Sequence, residues 1–167
     1  MRDMTPEPLT AAAFAPFGDV IEASDRADRF VINRGWTDRY DRLAMLDVAD
    51  QGGVGAISIF HARPLDPLVL RVFERHPLGS QGFMPLSGRP YLVAVAPDGP
   101  FGASRVRLFQ AEAHQGVQYR KNIWHHFVLA LEAESAFLVV DRAGPGDNLE
   151  ETLLAPAQVI RVRRRSA

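Results

Sequence analysis

The chain contains no cysteine. A disulfide framework is therefore excluded, and so are a thiolate nucleophile and a thiolate metal site. Long apolar runs are also missing. None approaches the roughly 20 residues that a membrane-spanning helix needs. Neither sign of charge is in excess, with 19 Lys+Arg against 20 Asp+Glu and a net charge of −1. Such a balance gives no electrostatic reason to bind nucleic acid. The opening residues, Met1-Arg-Asp-Met-Thr-Pro-Glu, lack the apolar core of a secretory signal. The expectation is a cytoplasmic protein with neither a membrane nor a nucleic acid as partner.

What is present is turn chemistry. Twelve prolines and 13 glycines are scattered between short apolar runs, a pattern of many strands and many turns. At 167 residues the chain is long enough for one domain with a real core. We expect a single domain over residues 1–167, with its core at about 14–144 and a C-terminal tail at 149–167. Thr10 is placed to cap a short helix through Ala15, which Pro16 ends. Strands are expected at Phe17–Ile21, Phe30–Asn33, Leu43–Val48, Val54–Phe60, Leu68–Phe73, Tyr91–Ala96, Val106–Gln110, Val117–Asn122, Ile123–Leu131 and Ala136–Asp141. Trp36 to Arg42 shows no clear period. A helical turn is expected at Leu149 to Leu154, and the basic end from Arg161 reads as a solvated terminus. Short strands at intervals of about ten residues, with few helices, indicate an all-β sandwich or barrel.

Two stretches carry chemistry. In the first, Leu68 to His76, strand alternation puts Leu70, Val72, Glu74 and His76 on one face. A carboxylate and an imidazole at the end of an apolar stripe are costly unless paired or bound. Gln81 follows His76 by five residues. In the second, Asn122-Ile-Trp-His-His126, the same alternation puts His125 in an apolar stripe with Ile123, Phe127 and Leu129, and His126 on the other face. His61 and His114 read as surface residues, and Asp141 as a salt-bridge partner for an arginine. Trp36 and Tyr40 either line a pocket mouth or pack a dimer seam.

The spacing of Glu74, His76 and Gln81 resembles the first signature of the cupin barrels, and His125 resembles the single histidine of the second. The glycine and proline of that second signature are replaced around Arg120 and Asn122. The resemblance implies a cupin-like β-barrel or jelly roll with a few short helices. It also implies a candidate metal set of Glu74, His76, Gln81 and His125.

Longer phrases narrow the likeness. Tyr40-Asp-Arg-Leu-Ala44, Glu74-Arg-His-Pro-Leu-Gly79, Gln115-Gly-Val-Gln-Tyr119, Asn122-Ile-Trp-His-His126 and Val140-Asp-Arg-Ala-Gly144 resemble, in that order, the bacterial ureidoglycolate lyases. Ala13-Phe-Ala-Pro-Phe-Gly-Asp-Val-Ile21 fits too. Phe127 departs from the proline expected in some relatives. That family splits ureidoglycolate into glyoxylate and urea in allantoin breakdown. The likeness implies a homodimer acting on a small molecule, with activation by a divalent metal such as nickel.

The reaction needs a base for the substrate hydroxyl, an acid for the leaving urea nitrogen and a cation for the carboxylate. His76 and His125 are the candidate acid and base, because imidazole titrates near neutral pH. Gln81 is the candidate hydrogen-bonding group. Lys121, Arg120 and Arg75 are the candidates for the carboxylate, arginine offering a two-pronged fork. The competing reading is a non-catalytic cupin that senses a small carboxylate, which the weakened ligand set favours. A metal-dependent cupin isomerase or oxygenase is the third, disfavoured by having fewer than three strong ligands.

Overall fold

The computed structural model describes residues 1–163. Two sheets face each other. The first runs Gly18–Ile21, Gly116–Tyr119, Gln81–Pro85, Ser135–Ala143, Val54–Ala62, every neighbouring pair antiparallel. The second runs Glu150–Leu153, Val72–Arg75, Trp124–His125, Tyr91–Ala96, Arg107–Ala111, Glu7–Pro8, and Leu129–Ala130 also pairs with Tyr91–Ala96. The all-β reading holds, with a cupin-like sandwich of sheets.

One core fills the space between the sheets, built on Phe83, Tyr91, Val93, Val95, Val117 and Phe137. A second core lies behind the other face of the second sheet, with Phe73, Leu92, Ala94, Trp124 and Leu129. It is closed by a small sheet of Arg2–Met4, Ile160–Val162 and Val69–Leu70. The strand Tyr91–Ala96 thus has a core on each side, and all 6 of its residues are buried. This explains why it reads as an unbroken apolar run instead of an alternating one.

The short helix forms as expected at Ala11–Phe14, where Thr10 Oγ1 accepts from the Ala13 amide at 3.2 Å. Elsewhere the structure corrects the sequence. Leu43–Val48 is not a strand; it is irregular chain, tied down where the Gln118 amide donates to the Met45 carbonyl and Asp47 N donates to Ser80 Oγ. Thr37–Asp41, which showed no period, pairs with Asp28–Ile32 as a hairpin. Both hairpin strands are largely exposed, so no buried face imposed a pattern on them. The helical turn expected at Leu149 to Leu154 is instead the strand Glu150–Leu153, paired with Val72–Arg75. The basic end is partly structured: Ile160–Val162 pairs with Arg2–Met4, and Arg163 forms an ion pair with Asp3 at 2.7 Å. The rest of that basic end, from residue 164, lies outside the described residues.

Two breaks shape the site. The strand is interrupted at Arg71, between Val69–Leu70 and Val72–Arg75, so Leu70 joins Phe73 in the second core rather than sharing a face with Glu74. The run Ile123–Leu131 is also interrupted. Opposite it, Val95 to Leu92 takes three steps while His125 to Leu129 takes four. The extra residue is a β-bulge, which reverses the side-chain parity beyond it. Leu129 consequently packs with Trp124 and not with His125, and Phe127 is left exposed. Among the described residues, no helix is long and apolar enough to cross a membrane.

Candidate active site

Glu74 and His125 are register partners on neighbouring antiparallel strands. Directly paired residues send their side chains to the same face, and this face looks into the space between the sheets. Gln81 and Tyr119 are likewise register partners, on the opposing sheet. His76 follows the end of Val72–Arg75 and turns back to the same point. The ligand atoms of Glu74, His76 and His125 lie within 4.8 Å of one another. The rings of His76 and His125 are 5.1 Å apart, and Tyr119 stacks on His125 at 4.4 Å.

The ring orientations follow from backbone carbonyls. His125 Nδ1 lies 2.9 Å from the Ile123 carbonyl oxygen, and His76 Nδ1 lies 2.7 Å from that of Asn148. A carbonyl only accepts, so each Nδ1 carries the hydrogen and each Nε2 is freed. Both Nε2 atoms are buried without a hydrogen-bond partner, as is Gln81 Oε1. The Gln81 amide is held from behind, its Nε2 donating to Asp141 Oδ2 at 3.3 Å. Buried acceptors are rarely left unpaired without a functional reason.

The electrostatics match this crowding. The His125 ring, 3.5 Å away, holds the Glu74 carboxyl below its ordinary range, against the opposing effect of burial. Burial, followed by the neighbouring His125, pushes His76 down, while the Asn148 carbonyl, Glu74 and Gln81 pull it back up. Burial raises the Tyr119 hydroxyl, keeping it neutral. His126 faces the other way, edge-on to Phe73, and burial pushes it down to about 4.

Glu74 forms part of the floor of an open cavity of about 500 Å³, walled by Phe60, Ala62, Phe83, Phe127 and Val128. His61 and Arg63 stand at its rim, both bound to Glu134. A larger hollow of about 680 Å³, between the helix and the base of the hairpin, includes none of the converging residues.

The three cations expected at the substrate carboxylate are held elsewhere. Alternation turns Arg75 away from Glu74, onto the Trp124 ring at 4.5 Å and into ion pairs with Glu150 and Asp98. Arg120 borders the larger hollow, donating to the Ala15 carbonyl and pairing with Asp19. Lys121 Nζ sits 2.7 Å from carboxylates of both Asp47 and Asp50. None of the three lines the cavity over Glu74. His114 is exposed and paired with Glu22, and Trp36 stands at the turn of the exposed hairpin.

Sequence reasoning missed Tyr119, Asn148 and the contact of Asp141 with Gln81. Tyr119 was visible as the second apolar residue of an alternating pair with Val117. Asn148 had no such signal, since it reaches His76 across 72 positions.

The two imidazole nitrogens and the carboxylate form a donor set that suits a borderline divalent ion. The carbonyls behind both rings are the outer support that metal-binding histidines use. The unpaired buried Nε2 atoms are what such an ion would satisfy.

A family model described as ureidoglycolate lyase matches residues 1–161. A ureidoglycolate lyase of Stutzerimonas stutzeri (strain A1501) is 51% identical over 172 residues, covering 96% of this chain and 100% of the relative. One of Pseudomonas putida (strain W619) is 49% identical, covering 96% of each chain. One of Burkholderia mallei (strain NCTC 10229) is 51% identical, covering 90% of this chain and 89% of its own.

Proposed function

The chain belongs to the ureidoglycolate lyase family, and from that premise we propose that it cleaves ureidoglycolate to glyoxylate and urea, the final step of allantoin breakdown. One observation carries the mechanism: the imidazole nitrogens of His76 and His125 and the Glu74 carboxylate lie within 4.8 Å of one another, both Nε2 atoms buried and unpaired, and Glu74 lines an open cavity.

The substrate carbon bears a hydroxyl, a carboxylate and the urea nitrogen. Cleavage removes the hydroxyl proton, forms the carbonyl and expels the nitrogen with a proton added. His76 Nε2 is the acceptor for the hydroxyl proton, since His125 Nε2 already faces Glu74. A proton shared between His125 and Glu74 passes to the urea nitrogen. The Gln81 oxygen, aimed by Asp141, accepts a hydrogen bond from the urea amide. Each such proton transfer is worth about 10²–10⁴-fold.

Glu74, His76, Gln81 and His125 are also the residues that would hold a divalent ion such as nickel. Bound there, the ion supplies Lewis acidity that lowers the hydroxyl pKa. An Nε2 lone pair cannot hold an ion and accept a proton at once, so metal content and activity before and after chelation decide which role the rings play.

The reading takes the chain as one domain working in the cytoplasm as a homodimer. Support for two copies comes from the large apolar side chains left exposed on the hairpin and on the edge strand. The test of function is to supply purified protein with ureidoglycolate and follow glyoxylate and urea. Ammonia in place of urea would make it an amidohydrolase, and saturable glyoxylate binding without turnover would make it a sensor.

A further inference from the structure

We propose that two copies of this chain exchange their hairpins, each hairpin lying on the outer face of the partner's five-stranded sheet. The inference specifies the contact of the two-copy reading above and rests on it.

The hairpin Asp28–Ile32 and Thr37–Asp41 packs chiefly on itself and on the turn that joins its strands. A two-stranded ribbon alone in water is marginal at best. This ribbon is also apolar where it meets solvent. Trp36 is 89% exposed and Val31 63%, and Phe30 and Ile32, two apart on one face, are exposed as well. The ribbon's charges are already compensated, Arg29 with Asp38 and Arg39 with Asp41. It therefore offers apolar surface with no net field, which does not suit a nucleic acid or an anionic membrane.

The same chain carries an uncovered seat. Val54–Ala62 closes one end of the five-stranded sheet, and among the described residues no strand pairs with its outer edge. It is 9 residues long and contains no proline, lysine or arginine. Such a long unblunted edge is one that proteins normally cover. Ile57 is 74% exposed and Ile59 51% on its outer face. Beside them an open groove of about 420 Å³ runs over Met84, Leu138 and Val140 to Tyr40 and Leu43, at the root of the hairpin.

An apolar arm without support and an apolar seat without cover, on one chain, are both satisfied by a single two-fold axis, because each contact is then made twice. The area is adequate. Trp36 would bury about 150–250 Å² and the half-exposed Phe30 about half as much, and with the aliphatic residues of arm and seat the total approaches the roughly 800 Å² per partner of a stable interface.

The absence of cysteine permits a direct test. Sedimentation of the unsubstituted protein should give a dimer. Phe30→Asp with Ile32→Asp on the arm, and separately Ile57→Asp with Ile59→Asp on the seat, should each weaken association at least about 100-fold, since each would bury unpaired carboxylates. An Ile32→Cys chain mixed with an Ile57→Cys chain should be joined by a short bismaleimide into a covalent pair. A monomeric unsubstituted protein at micromolar concentration overturns both the dimer and the exchange. A dimer that tolerates both aspartate pairs and forms no mixed cross-link overturns the exchange and leaves the two-copy reading standing.

Discussion

His125 Nε2 stands 3.5 Å from Glu74 Oε1 while the opposite nitrogen of the same ring is committed to the Ile123 carbonyl. Two lone pairs cannot face each other at that distance in a buried site without something positive between them. A proton or a cation between them would satisfy both, and register pairing of the two strands puts the two groups on the same face. Glu74→Gln keeps the shape and removes the charge. Turnover of ureidoglycolate is expected to fall by about 10²-fold or more, with a thermal midpoint close to that of the unsubstituted protein. Calorimetric titration with nickel should show a matching loss of affinity. An active Gln variant would remove this pair from the mechanism.

Asn148 holds both the other ring and the turn that follows it. Its carbonyl takes the His76 Nδ1 hydrogen, and its side-chain Oδ1 accepts from the Leu78 amide at 2.7 Å. Arg142 fixes the approach to it, donating to the Asp50 and Pro145 carbonyls. Asn148→Ala frees the His76 turn, and metal affinity or kcat is expected to drop about 10–100-fold, as for other outer supports of ligating histidines. Asn148→Asp keeps the acceptor oxygen and should recover most of the loss. Equal defects in both variants would show that the side chain does not aim the ring.

Much of this site was legible because strand periodicity is local. Glu74 and His76 sit two apart, and His125 lies in an apolar stripe, so their burial on inward faces could be read from neighbours alone. The bulge after His125 could not be read, because one extra residue in a strand leaves no mark on an apolar run. For the same reason Leu129 was assigned to the wrong face. Asp141 and Asn148 act across sheet and loop, a tertiary relation that no window of sequence contains. The cations are engaged elsewhere for a different reason: Arg75 is adjacent to Glu74 in sequence, and adjacency in a strand means opposite faces. The hairpin strand Thr37–Asp41 escaped notice because it is largely exposed.

Arg75 and Lys121 give a test of that placement. Arg75 is engaged by Glu150, Asp98 and the Trp124 ring, and Lys121 by Asp47 and Asp50. Arg75→Ala should lower the thermal midpoint through lost packing on Trp124, and Lys121→Ala should loosen the 43–52 loop. Neither should change KM for ureidoglycolate by more than about threefold, since uniform substrate binding is what KM reports. A tenfold rise in KM for either would put that cation in the path of the substrate.

Tyr91 supplies a pH-dependent prediction about stability. Its hydroxyl is buried between the sheets and donates to the Gln115 carbonyl at 2.9 Å. Burial raises its pKa well above 10. In the unfolded chain the same hydroxyl ionises near the ordinary value of about 10. Above that pH the folded state holds a proton that the unfolded state has released, so stability falls as pH rises. Below pH 10 neither state ionises and the group contributes no slope. Tyr91→Phe should cost about 1 kcal/mol near pH 8, where it leaves the Gln115 carbonyl without its donor. It should also flatten the alkaline limb, so the gap between the two proteins narrows from pH 10 to pH 11. Tyr119 is raised by burial in the same sense, and a residual slope will remain in the variant. Denaturant midpoints at pH 8, 10 and 11 measure the difference directly. Parallel curves for the two proteins across that range would mean that the Tyr91 hydroxyl already reaches water in the folded state.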